Sequence, residues 1–158
     1  MKVSVKKGLS YGTTTGVITT LALLLGLYSA SAPRNVILAG ILTIAFADAF
    51  SDGLGIHISE ESENVHPHRT VWESTLATVF TKMILGLSFV VPVVFFTLNT
   101  AIVLDVVWGS LVLTVVSYQV ARKNEQNTVS MMVEHLGIAL MVIVGSLLIG
   151  KVIHLLIK

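Results

Sequence analysis

Five long apolar stretches separated by short polar breaks set the pattern of this chain. They lie at about residues 9–29, 36–58, 76–96, 101–121 and 131–157. At about 1.5 Å per residue, each can cross a hydrocarbon core of about 30 Å with some tilt. None shows the short alternating segments of a closed barrel, so the pattern predicts five transmembrane helices. Ala32-Pro33-Arg34 joins the first two spans, and a turn around Asn99-Thr100 joins the third and fourth. The longest and most polar break, residues 59–74, contains Pro67, which argues against one unbroken helix through it. The expected fold is an all-α polytopic membrane protein, residues 1–158 forming a single five-helix domain.

Composition points the same way. The 158 residues are 54% hydrophobic and 12% charged, whereas soluble domains carry about a quarter charged residues. Mean hydropathy is +0.86. A net charge of +1 gives no reason to expect a nucleic-acid partner. The absence of Cys excludes disulfides, thiolate ligands, iron–sulfur clusters and thiol nucleophiles. Lys2, Lys6 and Lys7, followed by an apolar run ending near Ala30-Ser31-Ala32, imitate a signal peptide. The run is long for a signal core and full for a membrane span, so it is expected to stay as the first helix.

The basic residues then set an orientation. Lys2, Lys6, Lys7, Arg69, Arg122 and Lys123 fall on one side, against Arg34, Lys151 and Lys158 on the other. The bias predicts a cytoplasmic amino terminus and an outside carboxyl terminus. The host membrane is not encoded.

Asp48 and Asp52, four residues apart within the second span, carry the strongest chemical signal. On a helix they stack on one face. Ionised carboxylates at membrane depth are costly unless paired, hydrated or bound to a cation, and they mark functional sites by default. Divalent cations favour such oxygen ligands. The competing reading is an internal ion pair with Lys82, which falls about level with Asp52 if the second and third spans run antiparallel. Both hold if Lys82 neutralises the empty site and yields to a cation. Ser51, Gly53 and Gly55 flank Asp52, where glycines serve close packing or helix distortion.

His57, Glu60, Glu61, Glu63, His66, His68 and Glu73 gather at the expected cytoplasmic mouth. They read equally as a metal-collecting vestibule or as a solvated loop. Gly8, Gly12 and Gly16 at four-residue spacing allow close helix approach, within a subunit or across a dimer. Asp105 could mark an exit or a proton acceptor, but Asp105, Glu134 and His135 are all expected at interfaces with their polar ends snorkelling. The methionines are expected to pack. Nucleophile elbow, phosphate loop, HExxH and dinucleotide fingerprint are all absent, so nothing points to an enzyme.

The ordered motifs resemble the vacuolar iron transporter family, which includes yeast calcium/manganese-type vacuolar transporters and plant nodulin-like proteins. Thr15-Gly16-Val17-Ile18-Thr19-Thr20-Leu21 resembles that family's D-G-[LIV]-V-T-T-[LF]. Ala39-Gly40 and Ser51-Asp52-Gly53-Leu54-Gly55-Ile56-His57-Ile58-Ser59 resemble its A-G and S-M-A-x-G-E-Y-[VI]-S. Gly86 through Val91-Pro92 resembles G-A-L-[LIV]-P, and Gly137 and Gly150 fit glycines of the last helix. The resemblance implies a homodimer moving Fe(II), Mn(II) or related ions out of the cytosol by proton antiport, with no tightly bound cofactor.

The departures alter that expectation. Thr15 stands where the family has its first-span Asp, Asp52 where it has Met, and Ile56 where it has the following Glu. The acidic cytoplasmic helices of many members shrink to residues 59–74. The expected ion site is therefore Asp48 and Asp52, with Thr15 and Ser51 lining the path. Carboxylate in place of thioether should favour Mn(II) and harder ions over Fe(II). Two rival readings stay open: a non-transporting scaffold or metal-responsive protein on the same fold, and a proton or monovalent-cation pathway.

Overall fold

The computed structural model describes residues 2–123 and 127–157. Lys158, counted in the orientation argument, lies outside them. Among the described residues all regular structure is helical: α1 (Val3–Ser29), α2 (Arg34–Ser62), α3 (His68–Ser88), α4 (Val90–Phe95), α5 (Leu98–Lys123) and α6 (Thr128–Leu156). Five helical spans, with α3 and α4 counted together, are long and apolar enough to cross a membrane.

Two departures from the expected spans have plain causes. The third span breaks at Phe89 because Pro92 has no N–H to offer the carbonyl of Ser88, four residues earlier. The link expected over residues 59–74 narrows to residues 63–67, since α2 continues to Ser62 and α3 begins at His68. Pro67 caps α3 at its start, the place where a missing N–H costs nothing. Glu60, Glu61, His68 and Glu73 are therefore helical residues, and only Glu63 and His66 lie in the connection.

The α1–α2 turn is a Schellman motif. The N–H of Ala32 donates to the carbonyl of Leu27 at 3.0 Å, and that of Ser31 to Tyr28 at 2.9 Å. The motif puts Ser31 in the left-handed region at φ 61°, a place that usually takes glycine. Pro33 then opens α2.

α1 is the axis of the bundle. Half of its most apolar window is buried, against 33% or less for the other spans and 11% for α6. It packs against α2, α3, α5 and α6. Val17, Leu21, Leu24 and Leu25 of α1 meet Ile37 and Ile41 of α2, Phe89 before α4, Val93 of α4 and Leu113 of α5 in one core.

The glycines of α1 have a specific task in that arrangement. A Cβ at Gly8 would stand 2.4 Å from the carbonyl of Ser74, one at Gly12 2.7 Å from that of Thr78, and one at Gly16 3.1 Å from Lys82 Cγ. Each partner lies 66 positions further along, so α1 and α3 run parallel in one register. The small faces bring the two backbones together, as small-xxx-small pairs do in membranes. Across the other side of α3, Gly86 meets Ala45 and Gly53 meets Val79, which sets α2 antiparallel to α3.

Candidate cation site

That packing delivers Lys82 to α2. Its stem lies along Gly16 and its ammonium reaches Asp52 Oδ2 at 2.5 Å and Asp48 Oδ2 at 2.6 Å. The contact with Asp52 is a directed hydrogen bond. Asp48 Oδ2 meets the same ammonium off the hydrogen-bonding direction and has no other partner among the described residues. Lys82 is 2% exposed, whereas the carboxylate side chains keep 27% (Asp48) and 20% (Asp52). Two carboxylates face one ammonium.

Asp48 opens onto a groove between α1 and α2. It has a volume of about 710 Å³, is walled by Leu23 and Leu27 on one side and Gly40 and Thr43 on the other, and ends at Asp48 and Ser51. Ser51 is exposed on the α2 face. Thr15 lies next to Gly16, at the level of Lys82, and is half-buried. Its hydroxyl donates to the carbonyl of Tyr11 at 3.0 Å, so the lone pairs remain for a further donor or cation. The phenol of Tyr11 is within electrostatic reach of Asp52, Lys82 and Asp48, a neighbour that spacing alone did not reveal.

The seven residues expected at the mouth divide into three groups. Ligand atoms of Glu60, Glu63 and His66 lie within 4.8 Å of one another. Glu60 is buried, and Lys7 of α1 holds its Oε1 at 2.5 Å while His66 Nδ1 lies 3.2 Å from Oε2. His57 belongs to a second group: Nδ1 bonds Thr75 Oγ1 at 3.0 Å, Nε2 faces Glu61 at 3.4 Å, and the ring meets Trp72 edge-on near His68. Glu73 is drawn away by Lys2, Ser4 and Arg69, so its oxygens are already engaged. Of the seven, the structure brings Glu60, Glu63 and His66 into one compact carboxylate–imidazole group.

Asp105 corrects a second expectation. It does not snorkel: it is fully buried on α5, one turn before Gly109, and neither carboxylate oxygen has a partner among the described residues. Gly109 packs on Val17 and Leu21, so α5 is drawn onto α1 with Asp105 on the inward face. A position seven residues into α5 resembles an interfacial one in sequence, and only the packing distinguishes them. His135 is likewise engaged rather than snorkelling, with Nδ1 2.8 Å from Ser117 Oγ.

No family model, curated protein or solved structure matches this chain.

Proposed function

We propose that this protein is a homodimeric divalent-cation transporter of the vacuolar iron transporter type, moving Mn(II), Fe(II) or a related ion out of the cytosol. The observation that carries the reading is the Lys82 ammonium held between Asp48 and Asp52. Carboxylates at membrane depth need a cation, and Lys82 is a tethered one standing where a mobile one would bind. A divalent ion would neutralise both carboxylates once the ammonium withdraws along Gly16, and Lys82 would return when the ion leaves. Ser51 and Thr15 would supply neutral oxygens, and Glu60, Glu63 and His66 would gather ions at the amino-terminal side. An all-oxygen centre favours Mn(II) over Fe(II).

The dimer is part of the same proposal. Asp48 and Ser51 open into the groove that Leu23, Leu27 and Thr43 line, and α2 also carries Phe46, Phe50 and Leu54, each more than half exposed. A half-open carboxylate does not face hydrocarbon unattended, and a second copy laid against α2 would enclose it.

One feature favours a second reading. An ammonium already seated at 2.5 and 2.6 Å competes with any divalent ion, as suits a proton or monovalent-cation pathway. Uptake into proteoliposomes under a pH gradient separates the two. The transporter reading expects Mn(II) uptake that Asp52→Asn abolishes. Carboxylate-dependent proton flux indifferent to Mn(II) would support the second reading, and protein shown to be folded yet giving no flux would support a scaffold.

A further inference from the structure

On the face of α1 away from Asp48, α3 and α5 stand apart. The gap between them holds a groove of about 500 Å³, floored by Thr13 of α1 and walled by Thr81, Ile84 and Leu85 on one side and Leu111 and Val115 on the other. Trp108 closes its far end by donating its indole N–H to Ser88 Oγ at 2.9 Å. At the near end the groove shares Thr13, Val116 and Gln119 with a second cleft of about 530 Å³ lined by Lys6, Lys7 and Lys123. Among the described residues that cleft contains no acidic side chain. Lys7 is turned toward Glu60, whereas Lys6 and Lys123 meet no carboxylate within 4 Å among the described residues.

We propose that this continuous cleft and groove bind one phospholipid of the amino-terminal leaflet, with an anionic headgroup at Lys6 and Lys123 and an acyl chain along the α3–α5 groove. The dimensions match: the eleven steps from Trp108 to Gln119 rise about 16 Å at 1.5 Å per residue, close to the half-thickness of a core of about 30 Å. The chemistry also matches. An apolar trough that ends at the level of the bilayer centre and opens onto lysines offers a lipid tail and a phosphate their own surroundings, and basic pockets between helices take anionic headgroups. A second copy of the chain would need an acidic segment to meet the lysines; a zwitterionic lipid would leave them uncompensated.

Neither Lys6 nor Lys123 belongs to the carboxylate site, so the test is independent of transport. Purified protein would be titrated with phosphatidylglycerol or phosphatidylcholine, with bound lipid counted by native mass spectrometry and melting followed in parallel. One phosphatidylglycerol per chain is expected to be retained, at least tenfold more tightly than phosphatidylcholine, with a higher melting temperature. In the Lys6→Gln/Lys123→Gln double variant that preference should disappear, and Leu111→Trp, which narrows the trough, should weaken both lipids. Equal binding of the two lipids by the wild type would overturn the proposal, as would a preference that survives the double variant. So would an efficient chain-to-chain disulfide through Leu111→Cys in this otherwise Cys-free chain, because it would put a second copy on the groove.

Discussion

Gly16 and Lys82 touch: the position of the Cβ that Gly16 lacks lies 3.1 Å from Lys82 Cγ and 3.3 Å from its Cα. The glycine stripe of α1 and the charged centre of the bundle are therefore one construction. Close approach of α1 and α3 leaves Lys82 nowhere to extend except toward α2, where Asp48 and Asp52 receive it.

Removing the buried ammonium should leave two partly buried carboxylates without their counter-charge. Loss of one partner from a buried pair typically costs about 3–5 kcal/mol. Lys82→Met is therefore expected to lower the melting temperature and folded yield sharply. Adding Asp48→Asn and Asp52→Asn should recover most of the loss, because the uncompensated charge goes with them. A triple variant no more stable than Lys82→Met would show that the lysine acts through packing alone.

The glycines divide by what surrounds them. A side chain at Gly12 would meet the backbone of Thr78 at 2.7 Å, whereas nothing lies within 4 Å of a Cβ at Gly55. Gly12→Leu should separate α1 from α3 and strongly destabilise the bundle. Gly55→Ala should be neutral or gain up to about 1 kcal/mol from helix propensity. Thermal melting of the two variants side by side checks this contrast.

Ser31 holds a left-handed conformation at φ 61° with its side chain exposed. Non-glycine residues pay about 1 kcal/mol there, so Ser31→Gly should stabilise the α1–α2 turn by about that amount. Reduced stability in the same melting assay would mean that the serine side chain contributes something beyond the turn geometry.

Much of this architecture is legible in the chain, and the limits are physical. Span lengths follow from apolar runs, and the antiparallel course of α2 and α3 is enough to bring Lys82 level with Asp52. What apolar runs lack is a polar stripe that says which way a helix is turned about its axis. Asp105 therefore reads as interfacial although it is fully buried. The 66-residue register between α1 and α3 depends on both helices together, as does the pairing of Lys7 with Glu60 across α1 and α2. The break at Phe89 was encoded in Pro92, whose effect falls on the preceding turn.

If Glu60, Glu63 and His66 gather ions for the deeper site, weakening them should change supply rather than turnover. Glu63→Gln with His66→Ala leaves the Glu60–Lys7 pair in place. The double variant is expected to raise the Mn(II) concentration for half-maximal uptake several-fold with little change in the saturated rate. An unchanged half-saturation would remove the collecting role while leaving the Asp48–Asp52 site standing.

Transport by the proposed route requires a divalent cation to replace the Lys82 ammonium between Asp48 and Asp52. Anomalous diffraction from crystals grown in saturating Mn(II) tests it most directly. The expected result is a manganese peak within coordination distance of both carboxylates, with Lys82 Nζ moved away. Manganese at Glu60, Glu63 and His66 alone, with the ammonium still seated on both aspartates, would contradict it.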